Sequence, residues 1–280
     1  MTYRTIAVHV NESRHALDRA KLAATLAIEN EAHLIGVATT GMPAEFYMPL
    51  MVDGAIVLSA YLEMRKQQGL AALAVFESAA GKAGVASFER SMIEEEPGSG
   101  LCLQARYSDL VIIGQNDPDE PLQGQRADLP EYVVMNAGRP VLIVPYAGRF
   151  ESVGKRALVA WDGGLEAARA VTAALPILRR AEKVSVALFD PKIGPNAHGE
   201  QPGADIALYL ARHGVNVDVS RETAGNDAEI GNALLSCAAD KGSDLLVMGG
   251  YGHSRFREIL LGGVTRTILE SMTVPVLMAH

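Results

Sequence analysis

The residues best suited to chemistry stand together near the end of the chain. Gly249, Gly250, Gly252, Gly262 and Gly263 punctuate one stretch, and Thr265 follows the last of them. An apolar run, Asp244-Leu245-Leu246-Val247-Met248, precedes the glycines, and a segment of helical character, Val264 to Ser271, follows them. Glycine turns the backbone through positive φ and lets an anion approach with no Cβ in the way. The N–H groups of such a turn, and the free ones at a helix start, point at the anion. A strand that breaks into glycines and then feeds a helix therefore reads as a phosphate site, with the Thr265 hydroxyl as a further donor. His253 and Arg255 lie inside the same loop, where each has two readings: reaching the phosphates, or standing in solvent.

The chemistry expected at this loop is binding rather than turnover. No Gly-x4-Gly-Lys-Ser/Thr occurs, and no lysine stands beside the glycines to neutralise a phosphoryl group in flight. Gly-x-Ser-x-Gly is absent too, as is a zinc-type histidine pair. The chain is thus expected to be no enzyme, or at most a weak ATPase. His9, His15, His33, His198, His213 and His280 show no metal-ligand spacing, and no metal site is expected among them. Cys102 and Cys237 sit among apolar neighbours and read as packing residues, since a free cysteine behaves as a small hydrophobe.

Composition narrows the partners. The 280 residues carry a formal charge of −8, which argues against a nucleic-acid-binding surface. No apolar run approaches the roughly 18 residues that span a membrane. Residues 1–10 carry Arg4 but no long apolar region, so no signal peptide is expected and the location expected is cytoplasmic.

The elements that would hold the loop alternate between strand and helix. Residues 5–10 read as a strand, followed by an alanine-rich helix capped by Asn11 or Ser13 and running to about Asn30. Then come a strand at 33–39, a methionine-containing loop at 41–55, a helix at 57–83, a strand at 85–92 and a helix at 97–106. A strand at 109–114, a polar loop at 115–127, a helix near 129–138 and a strand at 140–144 complete the first half. The second half repeats the programme, with strands at 156–161, 183–189, 215–220, 244–248 and 275–278. Such alternation implies a parallel sheet covered by helices.

The two halves are copies. Asp109 to Gly114 stands 135 residues before Asp244 to Gly249, Pro140-Val141-Leu142 stands 135 before Pro275-Val276-Leu277, and Cys102 stands 135 before Cys237. Near the start of each half the offset is about 151, with Asn11 opposite Asp162. The expected fold class is α/β, with two tandem Rossmann-like domains, each a five-stranded parallel sheet with helices on both faces. The expected domains are 1–146 and 155–280, joined by a linker at 146–154.

Comparing the copies position by position assigns the site to the second. Asp117 stands opposite Gly252, Ala127 opposite Gly262, Asp128 opposite Gly263 and Pro130 opposite Thr265. The first copy has put acidic side chains where phosphate would sit, and Pro130 removes an N–H. It is expected to be degenerate for nucleotide, with a non-phosphate ligand left open. Asp162 ends the first strand of the second half, with Gly163-Gly164 opening the next turn. Ligands of open α/β sheets bind outside the carboxyl ends of the strands, where strand order reverses, so Asp162 and Gly249 are expected on one rim. A carboxylate there suits an adenine amino group or a ribose hydroxyl.

The pattern Gly-x2-Gly-x9-Gly from Gly249 through Gly252 to Gly262, followed by Val264-Thr265, resembles the ATP-binding signature of the universal stress protein family. The resemblance extends over the whole chain as two tandem domains of the adenine nucleotide α-hydrolase-like group. It implies that Asp162 meets the adenine or ribose end and that Gly249 lies near the ribose. It places Gly252, Gly262, Gly263, Val264 and Thr265 around the phosphates. The ligand implied is ATP, ADP or AMP, accompanied by Mg, in a stress-response or signalling protein with slow hydrolysis or none. The family commonly has Ser or Thr directly after the last glycine; here Gly263 keeps the N–H without the hydroxyl. The closing strands of the family commonly pair across a dimer axis. The resemblance thus implies an intramolecular pseudo-dimer, with a homodimer also open.

Overall fold

The computed structural model describes residues 2–42, 55–120, 126–191, 201–224, 227–251 and 263–280. In the first half β1 (Thr5–His9), α1 (Ala16–Asn30), β2 (His33–Thr39), α2 (Ala55–Ala83) and β3 (Phe88–Ile93) are followed by α3 (Pro97–Ala105), β4 (Leu110–Gly114), α4 (Leu129–Asn136) and β5 (Val141–Val144). In the second, β6 (Arg156–Ala160), α5 (Leu165–Leu178), β7 (Lys183–Phe189), α6 (Ala204–Arg212) and β8 (Val217–Glu222) are followed by α7 (Asp227–Asp240), β9 (Leu245–Gly249), α8 (Gly263–Ser271) and β10 (Val276–Ala279). By contacts the chain divides into Thr2–Val141 with Arg149–Glu151, and Leu142–Gly148 with Ser152–His280.

The first five strands lie in the order β3-β2-β1-β4-β5 and the last five in the order β10-β9-β6-β7-β8. In the first half β1 is parallel to β2 and β4; in the second, β6 is parallel to β7 and β9. Strand order therefore reverses between β1 and β4, and again between β6 and β9. Ile6 pairs with Leu110 and Ala157 with Leu245, so the repeat preserves strand register as well as sequence. The apolar runs explain the sheets. Leu110, Val111, Ile112 and Ile113 are fully buried, as are Leu245, Leu246 and Val247. Each such side chain contributes about 1.5–3 kcal/mol on burial.

One carboxylate in each half gathers the amino end of the first strand. Asp109 Oδ2, just before β4, accepts from the Arg4 and Thr5 N–H groups at 2.7 and 3.0 Å. Asp244, just before β9, accepts from the N–H groups of Gly154, Lys155 and Arg156 at 3.1, 3.0 and 2.9 Å.

Some boundaries differ from the sequence reading. β3 begins at Phe88 rather than Val85, and β8 at Val217 rather than Val215. In both places the preceding helix ends in a glycine with positive φ, Gly84 at 82° and Gly214 at 78°. The Val85 N–H returns to Ala80 O and the Val215 N–H to Leu210 O, both at 3.1 Å, so each valine belongs to the helix-ending turn. Neither Asn11 nor Ser13 is the cap of α1. That position is His15, which makes no side-chain cap bond, while Ser13 Oγ accepts from the His15 N–H at 3.2 Å. Glu96 caps α3 by accepting from the Gly98 and Ser99 N–H groups. No helix among the described residues is long and apolar enough to cross a membrane.

Candidate functional site

The rim of the second half is assembled by the β6–β9 pairing, which brings two chain reversals side by side. After β6 the Trp161 N–H bonds to Ala187 O at 3.0 Å and carries the chain to Asp162. Asp162 is exposed, and its Oδ1 accepts from the Gly164 N–H at 2.8 Å. Gly163 between them has φ +75°, a conformation that favours glycine. Gly164 then opens α5 with no side-chain cap, leaving the first turn of that helix to face the rim with its backbone donors. Leu165, in that turn, is 71% exposed and adds an apolar side chain to a polar edge.

Gly249 ends β9 directly against this helix start. A Cβ there would stand 2.6 Å from the Ala167 nitrogen and 2.8 Å from Glu166, contacts that backbone cannot yield. Close approach is thus the reason for glycine at 249. Gly250 donates to Ala279 O at 2.9 Å, and the His280 ring Nδ1 donates to Gly250 O at 3.0 Å. Tyr251 takes the left-handed conformation, with φ +61°. Its N–H donates to Thr265 Oγ1 at 3.4 Å, and Thr265 is only 4% exposed. Thr265 therefore holds the two stems of the loop together through its hydroxyl oxygen. Gly263 is exposed and Val264 half-buried in the first turn of α8. Gly252, His253 and Gly262 lie outside the described residues, as does Arg255.

The corresponding rim of the first half is filled. Gly114 stands at the place of Gly249, but a Cβ there would meet the Arg19 guanidinium at 2.5 Å. Arg19 is 3% exposed; its Nε donates to His9 O at 2.9 Å and its Nη2 to Asn11 Oδ1 at 2.8 Å. Burial lowers its pKa to about 10. Asp117 is also buried, and its carboxylate gathers Arg14, His15 Nε2 at 2.8 Å and the Asp119 N–H at 2.9 Å. Burial alone raises the Asp117 pKa, but the hydrogen bonds from His15, the Asp119 amide and Arg14 outweigh it and hold the group at about 2. Glu120 joins through the Arg14 N–H at 2.8 Å. An ion-pair cluster thus occupies the place where the second half has its loop.

The sequence reading missed this cluster because its partners are about a hundred positions apart, with no local spacing to betray them. It also missed Arg65, 4% exposed on α2, which bonds to Glu12 Oε1 at 3.0 Å. His9 is buried and held neutral, its pKa lowered to about 3 by burial first and then by Arg19 and Arg65. Burial raises the Cys102 thiol to about 11 and pushes Cys237 up as well.

Comparison with known proteins follows the same division. Residues 154–280 match the universal stress protein family. A universal stress protein of Synechocystis sp. is 26% identical over 172 residues, which cover 60% of this chain and 57% of that protein. A universal stress protein of Methanocaldococcus jannaschii is 39% identical over 44 residues, covering 16% of this chain and 27% of that one. The chain thus spans less than two thirds of the length of either curated relative. Among solved structures, a universal stress protein from Archaeoglobus fulgidus superposes over 98% of this chain and 95% of its own, with a TM-score of 0.74 and 15% identity. That likeness establishes a common fold over both halves.

Proposed function

Since residues 154–280 match the universal stress protein family, we propose that the second half binds an adenine nucleotide as a conformational ligand in stress response or signalling. The observation that carries this reading is the meeting of Gly249 with the uncapped start of α5, beside the Asp162 turn. A strand end without a Cβ, an uncapped helix start and an exposed carboxylate supply what a nucleotide asks of a rim: close approach, N–H donors and an acceptor. The residues present fit the ligand. Asp162 is preset by the Gly164 N–H and keeps acceptor capacity for a ribose hydroxyl or an adenine amino group. Thr265 sets the width of the loop stems, and Gly263 and Val264 present the start of α8. Gly252, His253 and Gly262 complete the loop that would enclose the phosphates. Magnesium would travel with those phosphates and screen their charge.

Binding rather than turnover is the role proposed, with hydrolysis slow or absent. The test is a calorimetric titration of the full chain with MgATP, alongside Gly252→Asp, which copies Asp117 into the loop, and an assay of phosphate release. One nucleotide per chain is expected. Affinity should fall at least ~10-fold in the variant, because like charges a few ångströms apart repel. Two nucleotides per chain would refute the assignment to the second half, and no binding by the wild type would refute the function. Phosphate release above background that disappears in the variant would make the protein a weak ATPase instead.

A further inference from the structure

The filled rim of the first half gathers the ligand atoms of a metal site. His15, Asp117 and Glu120 each offer one such atom, and the three lie within 4.8 Å of one another. They arrive from two directions. His15 stands at the N-cap position of α1, where its side chain makes no cap bond and places Nε2 2.8 Å from Asp117 Oδ2 instead. Asp117 and Glu120 bracket a turn after β4, closed by the Glu120 N–H on Asp117 O at 3.1 Å. This is the carboxyl edge where strand order reverses, the seat of ligands on such sheets. Both carboxylates are oriented from behind, as metal ligands commonly are. Asp117 Oδ1 accepts from the Asp119 N–H at 2.9 Å, which leaves Oδ2 to the cluster, and Glu120 Oε1 accepts from the Arg14 N–H at 2.8 Å.

The guanidinium of Arg14 serves this cluster imperfectly. Arg14 Nε lies 3.1 Å from both His15 Nε2 and Asp117 Oδ2, and those two atoms are themselves 2.8 Å apart. One imidazole nitrogen cannot accept from Arg14 and donate to Asp117 at once. If Nε2 carries the proton, two N–H groups face each other; if it does not, two lone pairs do. Three atoms that present lone pairs are better served by a cation without hydrogens. Charge points the same way. Two carboxylates share one arginine here, and its side chain is 58% exposed, so the head group can swing into solvent. A dication would neutralise both carboxylates, which outweigh the roughly half-unit positive charge at the start of α1. Arg19 bonds to His9 O and Asn11 Oδ1, and Arg65 to Glu12, so neither draws on Asp117 or Glu120 for a hydrogen bond.

We infer that the first half binds a zinc ion through His15 Nε2, Asp117 Oδ2 and Glu120 Oε1, in exchange for the Arg14 head group. An imidazole nitrogen in the set selects zinc over magnesium and calcium, which take oxygen ligands. Three protein ligands leave the fourth tetrahedral position to water. Ligand atoms of a tetrahedral zinc stand about 3.4 Å apart, given metal–ligand bonds of about 2.1 Å. His15 and Glu120 are both partly exposed and can draw in to that spacing around the buried Asp117. The nucleotide reading of the second half plays no part in this inference.

The test titrates the untagged full chain, without nucleotide, with zinc chloride and with magnesium chloride in a calorimeter. It then repeats the zinc titration on His15→Ala, Asp117→Asn and Arg14→Gln. One zinc per chain is expected, with magnesium at least ~10-fold weaker. Loss of either ligand should weaken zinc by at least the ~10-fold that loss of an outer partner costs. Arg14→Gln removes the competing cation and should tighten zinc by about 10-fold. Should Asp117→Asn fail to fold, His15→Ala and Arg14→Gln, both at partly exposed side chains, decide the matter. The inference is overturned by absent zinc binding, by zinc binding that the ligand variants leave unchanged, by equal affinity for magnesium, or by an Arg14→Gln variant that binds zinc no more tightly than the wild type.

Discussion

At the end of β4 a glycine packs against the guanidinium of Arg19; at the end of β9 a glycine packs against the bare backbone of α5. The two places correspond residue for residue, and the strands that lead to them share one register. Ala170 occupies in α5 the place of Arg19 in α1, and Ala160 the place of His9. Small residues in the second half leave the end of β9 packed on backbone alone. Large polar ones in the first half close the rim with side chains and bury charge. A fold of this kind decides where a ligand can sit, while a few side chains at the strand ends decide whether one can.

Transplanting the cation is the harshest way to break the comparison. Ala170 is fully buried, and Ala170→Arg would force a long cation into a place packed for a methyl, although the Asp162 carboxylate stands at the place of Asn11 and the Ala160 carbonyl at that of the His9 carbonyl. A loss of about 3–5 kcal/mol is expected from overpacking and from desolvation of the charge. Trp161, the one tryptophan of the chain, lies in the second half and lets fluorescence follow that half in urea. An unchanged midpoint would mean that the rim has room for the cation after all.

The paired glycines sharpen the contrast. Gly249→Ala sets a methyl against backbone and should destabilise by about 3 kcal/mol, while Gly114→Ala presses only on a side-chain tip and should cost about 1 kcal/mol. Equal losses in urea would show that Arg19 is as immovable as the α5 backbone.

The gentlest probe is pH. His9 has its pKa lowered from 6.5 to about 3 by burial, then by Arg19 and Arg65, so its contribution is whole above pH 6.5 and drains as pH falls toward 3. By pH 5 the drain should reach about 2 kcal/mol, at 1.36 kcal/mol per pH unit. Circular dichroism, which follows both halves, should record it; Trp161 fluorescence should not, because Ala160 stands at the place of His9. His9→Gln should flatten the profile. A profile that stays steep in His9→Gln would place the titrating group elsewhere.

Much of this contrast could be read from the chain. The apolar runs at 110–113 and 245–248 announce buried parallel strands, and the 135-residue offset exposes the repeat. Asp117 opposite Gly252 already marks the first half as the altered copy. Arg19 and Arg65 escaped notice because each sits in a helix where a long charged side chain ordinarily faces solvent. Only the packing of α1 and α2 on the strand ends turns those two inward. The missed strand starts at 85 and 215 have a smaller cause: a valine after a helix-ending glycine has strand propensity but donates back to the helix.

Asp109 and Asp244 put a different light on how such copies diverge. Each gathers the amino end of its half's first strand, while the rims lie at the carboxyl ends. Fastening and the proposed recognition therefore occupy opposite edges of each half's strands. An edit at the ligand edge leaves the fastening untouched, which makes this unit a natural chassis for grafting new binding chemistry.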